Sequence, residues 1–102
     1  MATPTFPLPI EVQQSLVMLG ERISLQRRLR HLTQGELAER VGVGLSSIVA
    51  LEKGHPGVAS GTLARVLWGL NILPTIDQVA EVASDDPALA RLIAQVPKRV
   101  RT

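Results

Sequence analysis

Apolar residues recur every three to four positions over most of the chain, the spacing of helices that present one face to a core. Val12, Leu16, Leu19 and Ile23 fall at i, i+4, i+7 and i+11, so a helix is expected from Ile10 to about Arg30. Gly20 lies within it and can split it in two, at about 1 kcal/mol against Ala. Pro4, Pro7 and Pro9 keep the lead "MATPTFPLP" out of helix or central strand, and Pro9 suits the first helical position. Thr33, with Glu36 three residues on, forms a capping-box pattern ahead of a helix from Gln34 to Val41 whose Leu37, Ala38 and Val41 face inward. Gly42 can end it cheaply in a left-handed conformation. A third helix is expected from Leu45 to Lys53, with Ile48 and Leu51 inward and Gly54 as its stop; "HPG" makes a further turn. A fourth runs from Ser60 or Gly61 to about Asn71, with Leu63, Val66, Leu67 and Leu70 on one face and Trp68 on the flank beside Ala64 and Asn71. Pro74 opens a connection, and Ile76 to Ala83 has the pattern of a brief helix. "SDDPALARLIAQV" reads as a last helix, capped by Ser84 or Asp85, with Pro87 in its first turn, Leu89, Leu92, Ile93 and Val96 packing, and Pro97 ending it. No segment alternates with period two for long enough to be a strand. The expected fold is all-α with five to six helices: a Pro-rich lead (1–9), a helical domain (10–73) and an extension (74–102) of acidic segment, helix and basic tail.

The stretch "TQGELAERVGVGLSSIVALEKG", Thr33 to Gly54, is two short helices joined by a glycine-containing turn. That is the helix-turn-helix pattern, whose second helix lies in the DNA major groove, although an ordinary αα-hairpin shares its outline. Ala38 has to be small because the second helix crosses close above it. The start of the helix at Gln34 offers unpaired N–H groups and the positive end of the helix dipole to a phosphate.

"RRLRHLTQGELAERVGV" and "SSIVALEKG" carry a resemblance: residues 21–73 look like a helix-turn-helix domain of the XRE type, the fold of the small phage repressors. The resemblance implies an ion pair between Arg27 and Glu52 that orients the reader helix. From the residues alone the two are equally well independent surface charges, and an exposed pair would be worth under about 1 kcal/mol. With "PLPIEVQQSLVMLGERI", "LEKGHPGVASGTLARVLWGLNIL" and "DPALARLIAQVPKRVR", the likeness extends over roughly residues 7–101 to HipB-like antitoxins. It implies a partner, a HipA-like Ser/Thr kinase toxin that the protein binds and restrains; the expected form is a homodimer that represses its own operon at a palindromic operator, with two half-sites about one helical turn apart.

Against that background the exposed face of the third helix is unusual. Relatives carry polar or basic residues just inside the reader helix and near its middle, where this chain has Leu45 and Ala50, with Gly44, Ser46, Ser47 and Val49 completing the face. The bidentate Arg–guanine and Gln–adenine contacts are therefore missing. Ser46 can bond a base edge and Ser47 a phosphate, while Leu45, Val49 and Ala50 can meet thymine methyl groups. Specificity then leans on methyl contacts, DNA shape and half-site spacing. The candidate DNA-contacting residues are Thr33, Gln34, Gly44, Leu45, Ser46 and Ser47, together with Val49, Ala50, Lys53 and His55. Trp68 is the candidate anchor for a dimer or partner interface, with partial burial under the C-terminal segment as the competing reading. The alternative to a DNA reader is a protein-interaction module that keeps the scaffold and grips a protein with its apolar reader face or last helix.

Composition narrows the classes further. Net charge is only +2, but it is unevenly placed: Arg22, Arg27, Arg28, Arg30 and Arg40 precede the reader helix, Lys53 ends it, and Asp77, Glu81, Asp85 and Asp86 form an acidic patch. Lys98, Arg99 and Arg101 form a tail open to three readings: solvated, touching DNA, or touching the kinase. Without cysteine there are no disulfides, Cys zinc sites or thiol catalysis. One Trp, one Phe and no Tyr do not make a stacking platform for single strands. His31 and His55 have no carboxylate in a patterned context, "GVG" lacks the surroundings of a dinucleotide site, and two separated histidines do not make a metal site. No enzyme, metal or cofactor is expected. "MATPTFPLPI" is not a signal peptide, and no apolar run approaches the ~20 residues that span a bilayer, so the expectation is a bacterial cytoplasmic protein, nucleoid-associated when DNA-bound.

Overall fold

A computed structural model describes residues 7–83 and 85–100. Residues 1–6 of the Pro-rich lead, Ser84 as a candidate cap and Arg101 of the basic tail lie outside the described residues. The described residues are helical, without a strand: α1 (Ile10–Leu29), α2 (Gln34–Val41), α3 (Leu45–Glu52), α4 (Ser60–Gly69), a 3-10 helix (Leu73–Gln78) and α5 (Pro87–Gln95).

The core belongs to the first four helices. Ile23 of α1, Leu37, Ala38 and Val41 of α2, Ile48 and Leu51 of α3, and Val66 and Leu67 of α4 are buried together with Leu70 just past α4. α3 packs on both α1 and α2, and α4 packs on α2 and on the 3-10 helix. The connections are short because four helices end in the same way. His31, Gly42, Gly54 and Asn71 are left-handed, at φ 56°, 71°, 79° and 61°. In each case the next residue donates its N–H to the carbonyl five residues back: Leu32 to Arg27 at 3.3 Å, Val43 to Ala38 at 3.1 Å, His55 to Ala50 at 2.9 Å and Ile72 to Leu67 at 2.8 Å. This closure satisfies otherwise orphaned carbonyls and turns the chain sharply. Leu32, Val43 and Ile72, which follow the left-handed residue, then pack against the core.

Several expectations change. α1 is not split at Gly20: it is a single helix of 20 residues. A Cβ on Gly20 would run into the Glu52 carbonyl oxygen and lie 2.7 Å from that of Leu51. The glycine is there so that the end of α3 can abut α1. Val12 is 41 % exposed, so the apolar stripe of α1 meets the core only from Leu16 onward. Pro9 is the residue before α1, with extended ψ of 143°, rather than its first helical residue. The brief helix expected from Ile76 to Ala83 is instead the 3-10 helix from Leu73 to Gln78, followed by irregular chain with Ala80 at φ 60°. Its three-residue turn puts Leu73 and Ile76 on the same side, where both pack on the core.

α5 differs most. Its cap is Asp86, whose Oδ1 accepts from the Ala88 N–H at 2.9 Å, with Pro87 at the first position. Its apolar stripe was expected to pack, but α5 has no buried residue, and Leu92, Ile93 and Val96 are 61 %, 42 % and 65 % exposed. α5 packs closely on none of the other helices. The radius of gyration, 17.5 Å, exceeds the roughly 13 Å of a compact chain of ~100 residues, because the start of α1 and α5 stand off the core.

Candidate nucleic-acid interface

The second helix of the Thr33–Gly54 unit is fixed from behind by a polar lock. Arg27 Nε donates to Glu52 Oε2 at 2.7 Å and Nη2 to Oε1 at 2.9 Å, a two-pronged pair whose side chains are only 11 % and 6 % exposed. Arg27 Nη1 also donates to the Leu32 carbonyl at 2.7 Å, so one guanidinium clamps the α1–α2 turn and the end of α3 together. Gln34 Nε2 donates to Glu52 Oε1 at 3.1 Å, tying the first residue of α2 to the last of α3. Burial by itself raises the pKa of the Glu52 carboxyl; the hydrogen bonds from Arg27 and Gln34 and the Arg27 charge outweigh it and hold the group below the ordinary carboxylate range. The Arg27 pKa rises in turn, first through its hydrogen bond to Glu52. The pair is not the exposed, weak kind, because water reaches little of it.

α2 begins with a complete capping box. Thr33 Oγ1 accepts from the Glu36 N–H at 3.0 Å and Glu36 Oε1 accepts from the Thr33 N–H at 2.9 Å. The Thr33 backbone N–H first, and the Thr33 hydroxyl after it, hold the exposed Glu36 carboxyl below its usual range. At the other end of α2, Arg65 of α4 donates from Nη1 to the Val41 carbonyl at 3.0 Å. No local pattern pointed to Arg65, because its partner lies 24 positions earlier in the chain.

α3 turns Ile48 and Leu51 into the core and Leu45, Ser46, Val49 and Ala50 outward. The outward residues meet Lys53, Gly54, His55 and Pro56 around an open concavity of about 690 Å³. A neighbouring hollow of about 420 Å³ is shared by Ser46, Ser47, Ala50 and His55 with Gly57, Val58, Ala59 and Thr62. Thr62 and Pro56 were not anticipated: Pro56 joins from the α3–α4 loop and Thr62 from the first turn of α4. His55 Nδ1 accepts from the Gly57 N–H at 2.9 Å, which shapes that loop and leaves Nε2 as the ring's donor in the neutral form. Thr33 and Gln34 do not line either hollow. Thr33 is exposed at the start of α2, half-buried Gln34 has one amide hydrogen held by Glu52, and Gly44 is exposed at the turn. Trp68 lies on α4, away from the reader face, and is 58 % exposed.

Residues 23–71 match the helix-turn-helix family model. This segment is similar to the helix-turn-helix domains of that family. Helix-turn-helix domains place their second helix in the DNA major groove. The matched span begins in α1 at the first buried core residue, Ile23, and takes in the Arg27–Glu52 lock, α2, α3 and α4; the 3-10 helix and α5 lie beyond it. No curated protein and no solved structure matches the chain. No helix is long and apolar enough to cross a membrane, and no group of His, Asp or Glu side chains that could hold a metal ion forms among the described residues.

Proposed function

We propose that the protein is a transcriptional repressor that binds duplex DNA as a homodimer, with α3 in the major groove. The observation that carries this reading is the locked geometry of α3. Arg27, Glu52 and Gln34 fix its end against α1 and α2 while Leu45, Ser46, Val49 and Ala50 stay open to a groove. Thr33, Gln34, Ser47, Lys53 and His55 contact the phosphates on either side. Gln34 has a second amide hydrogen for this, and Thr33 has its hydroxyl hydrogen. Gly44 lets the backbone come close at the entry of the helix. Two protomers bring two reader helices to half-sites about one helical turn apart, which doubles the phosphate contacts and makes the operator palindromic. Trp68 and the exposed stripe of α5 are the apolar surfaces on which a second protomer can rest. Titrating the protein's own promoter DNA at two salt concentrations tests the reading. Affinity should fall steeply with added salt; binding that is absent at low salt, or indifferent to salt, contradicts it.

The resemblance over residues 7–101 to HipB-like antitoxins supports a finer assignment: an autoregulating antitoxin whose partner is a HipA-like Ser/Thr kinase toxin, acting in the bacterial cytoplasm and at the nucleoid. The division of labour follows the chain, with residues 10–73 for DNA and residues 74–102 for the partner. A kinase encoded alongside should co-purify with the protein and lose activity on binding it. If it does neither, the antitoxin role fails and the DNA-binding role stands.

One observation favours a second reading, a protein-interaction module. The concavity beside α3 and the stripe on α5 are both apolar and exposed. Leu45→Glu with Ser46→Glu separates the two. A DNA reader loses its operator and keeps its protein partner, whereas an interaction module loses the partner.

A further inference from the structure

Of the four α3 residues that line the open concavity, Leu45, Val49 and Ala50 have no polar side-chain atom and Ser46 has one hydroxyl. A pyrimidine shows two features in the major groove. One is its C5 substituent. The other is the group at C4, an acceptor O4 on thymine and a donor N4 on cytosine. An apolar side chain responds to the first and is indifferent to the second. Ser46, the polar neighbour on this face, both donates and accepts, so it imposes no preference at C4 either. The surroundings suit duplex DNA. The charged residue lining the concavity is Lys53, no carboxylate lines it, and Glu52 at the end of α3 is already paired with Arg27.

We propose that Leu45, Val49 and Ala50 form a reader of pyrimidine C5-methyl groups. Thymine and 5-methylcytosine are then accepted alike, and uracil and unmodified cytosine are disfavoured alike. The inference rests on the DNA-binding reading above and adds that cytosine methylation within the operator changes its occupancy. Leu45 is 52 % exposed in the free protein, and covering it with a methyl group removes apolar surface on both partners from water.

The test uses the full chain and modified DNA, so protein folding is not at issue. A bound site is first selected from a randomised duplex library. Each thymine in it is then replaced singly by deoxyuridine, and the same positions are rebuilt as 5-methylcytosine·guanine and as cytosine·guanine. Under the ridge, removing one methyl should weaken binding about fourfold. The ratio of 5-methylcytosine to cytosine should match the ratio of thymine to uracil at the same position. Leu45→Ala and Val49→Ala, with helicity checked by circular dichroism, should each bring the ratio at one position close to one. Equal binding of thymine and uracil DNA overturns the inference and leaves DNA binding intact. So does a methyl effect on thymine without one on cytosine, which would mean that C4 is read, or a ratio unchanged in the alanine variants. Recovery of no bound DNA at low salt overturns the inference and the DNA-binding reading together.

Discussion

At the scale of single residues, the placement of α3 depends on a nearly buried carboxylate at its end. Glu52 accepts from Arg27 and Gln34 with its side chain 6 % exposed, so removing it strands an almost buried guanidinium. Glu52→Ala should cost about 2–3 kcal/mol in denaturant unfolding, the range for losing charged hydrogen bonds in a mostly buried setting. The same group sets an acid limb. Its pKa in the folded state is lowered from 4.5, so its stabilising contribution is complete above that pH and is lost as the pH falls through the lowered value. Glu36 is shifted in the same direction by its bonds to Thr33. Thermal unfolding followed from pH 7 downward should therefore show a decline beginning below about pH 4.5. Glu52→Gln should make that decline shallower, and an unchanged profile would mean that other carboxylates govern it. Gly20 makes the opposite kind of point. On helix propensity alone, Gly20→Ala would stabilise an interior position by about 1 kcal/mol. The backbone carbonyls of Leu51 and Glu52 leave no room for a methyl, so the variant should instead be less stable than wild type by chemical denaturation.

At the scale of elements, helix termini decide the shape of the domain. Four helices close with a left-handed residue, yet glycine supplies it only at Gly42 and Gly54. His31 pays a backbone penalty at φ 56°, because a Cβ crowds the following carbonyl there. His31→Gly should raise stability by about 0.5–1 kcal/mol, read as a higher denaturation midpoint at unchanged slope. α5 is the reverse case, a well-capped helix whose apolar stripe, half-buried Leu89 apart, is exposed among the described residues. A chain ending before Pro87 should unfold at nearly the same denaturant concentration as the full chain under conditions where both are monomeric. A large drop would show that α5 packs on the core in solution. The periodicity of α1–α4 was legible because each apolar stripe found a partner. The stripe of α5 was just as regular, but periodicity records only that a face is apolar and not whether a complementary face exists within the same chain.

At the scale of the whole molecule, the polar lock, the uncharged ridge and the exposed apolar surfaces divide the work. The Arg27–Glu52 pair ties the end of α3 to α1, α3 presents its ridge, and Trp68 and the α5 residues Leu92 and Ile93 are exposed. Trp68 is the single tryptophan, so its fluorescence reports on one place. Exposed at 58 %, it should emit at long wavelength in dilute solution and shift to shorter wavelength as concentration rises, if the homodimer forms over α4. An emission maximum independent of concentration, in a sample shown by sedimentation to dimerise, places the interface elsewhere.

The amino-acid sequence by itself determined α1 to α5, though not the 3-10 helix, and with them the capping box at Thr33 and Glu36, the glycine stops at Gly42 and Gly54, and the apolar character of the α3 face. All of these follow from local periodicity and from residues a few positions apart. The tertiary structure alone decided that Gly20 is a contact point rather than a break, that Arg27 and Glu52 form a nearly buried pair joined by Gln34, that Arg65 caps α2, and that Pro56 and Thr62 border the reader face. It also decided that α5 remains uncovered. Each of these depends on which surfaces meet across long stretches of chain, and that is fixed by how the stripes of four helices fill one core rather than by any segment alone.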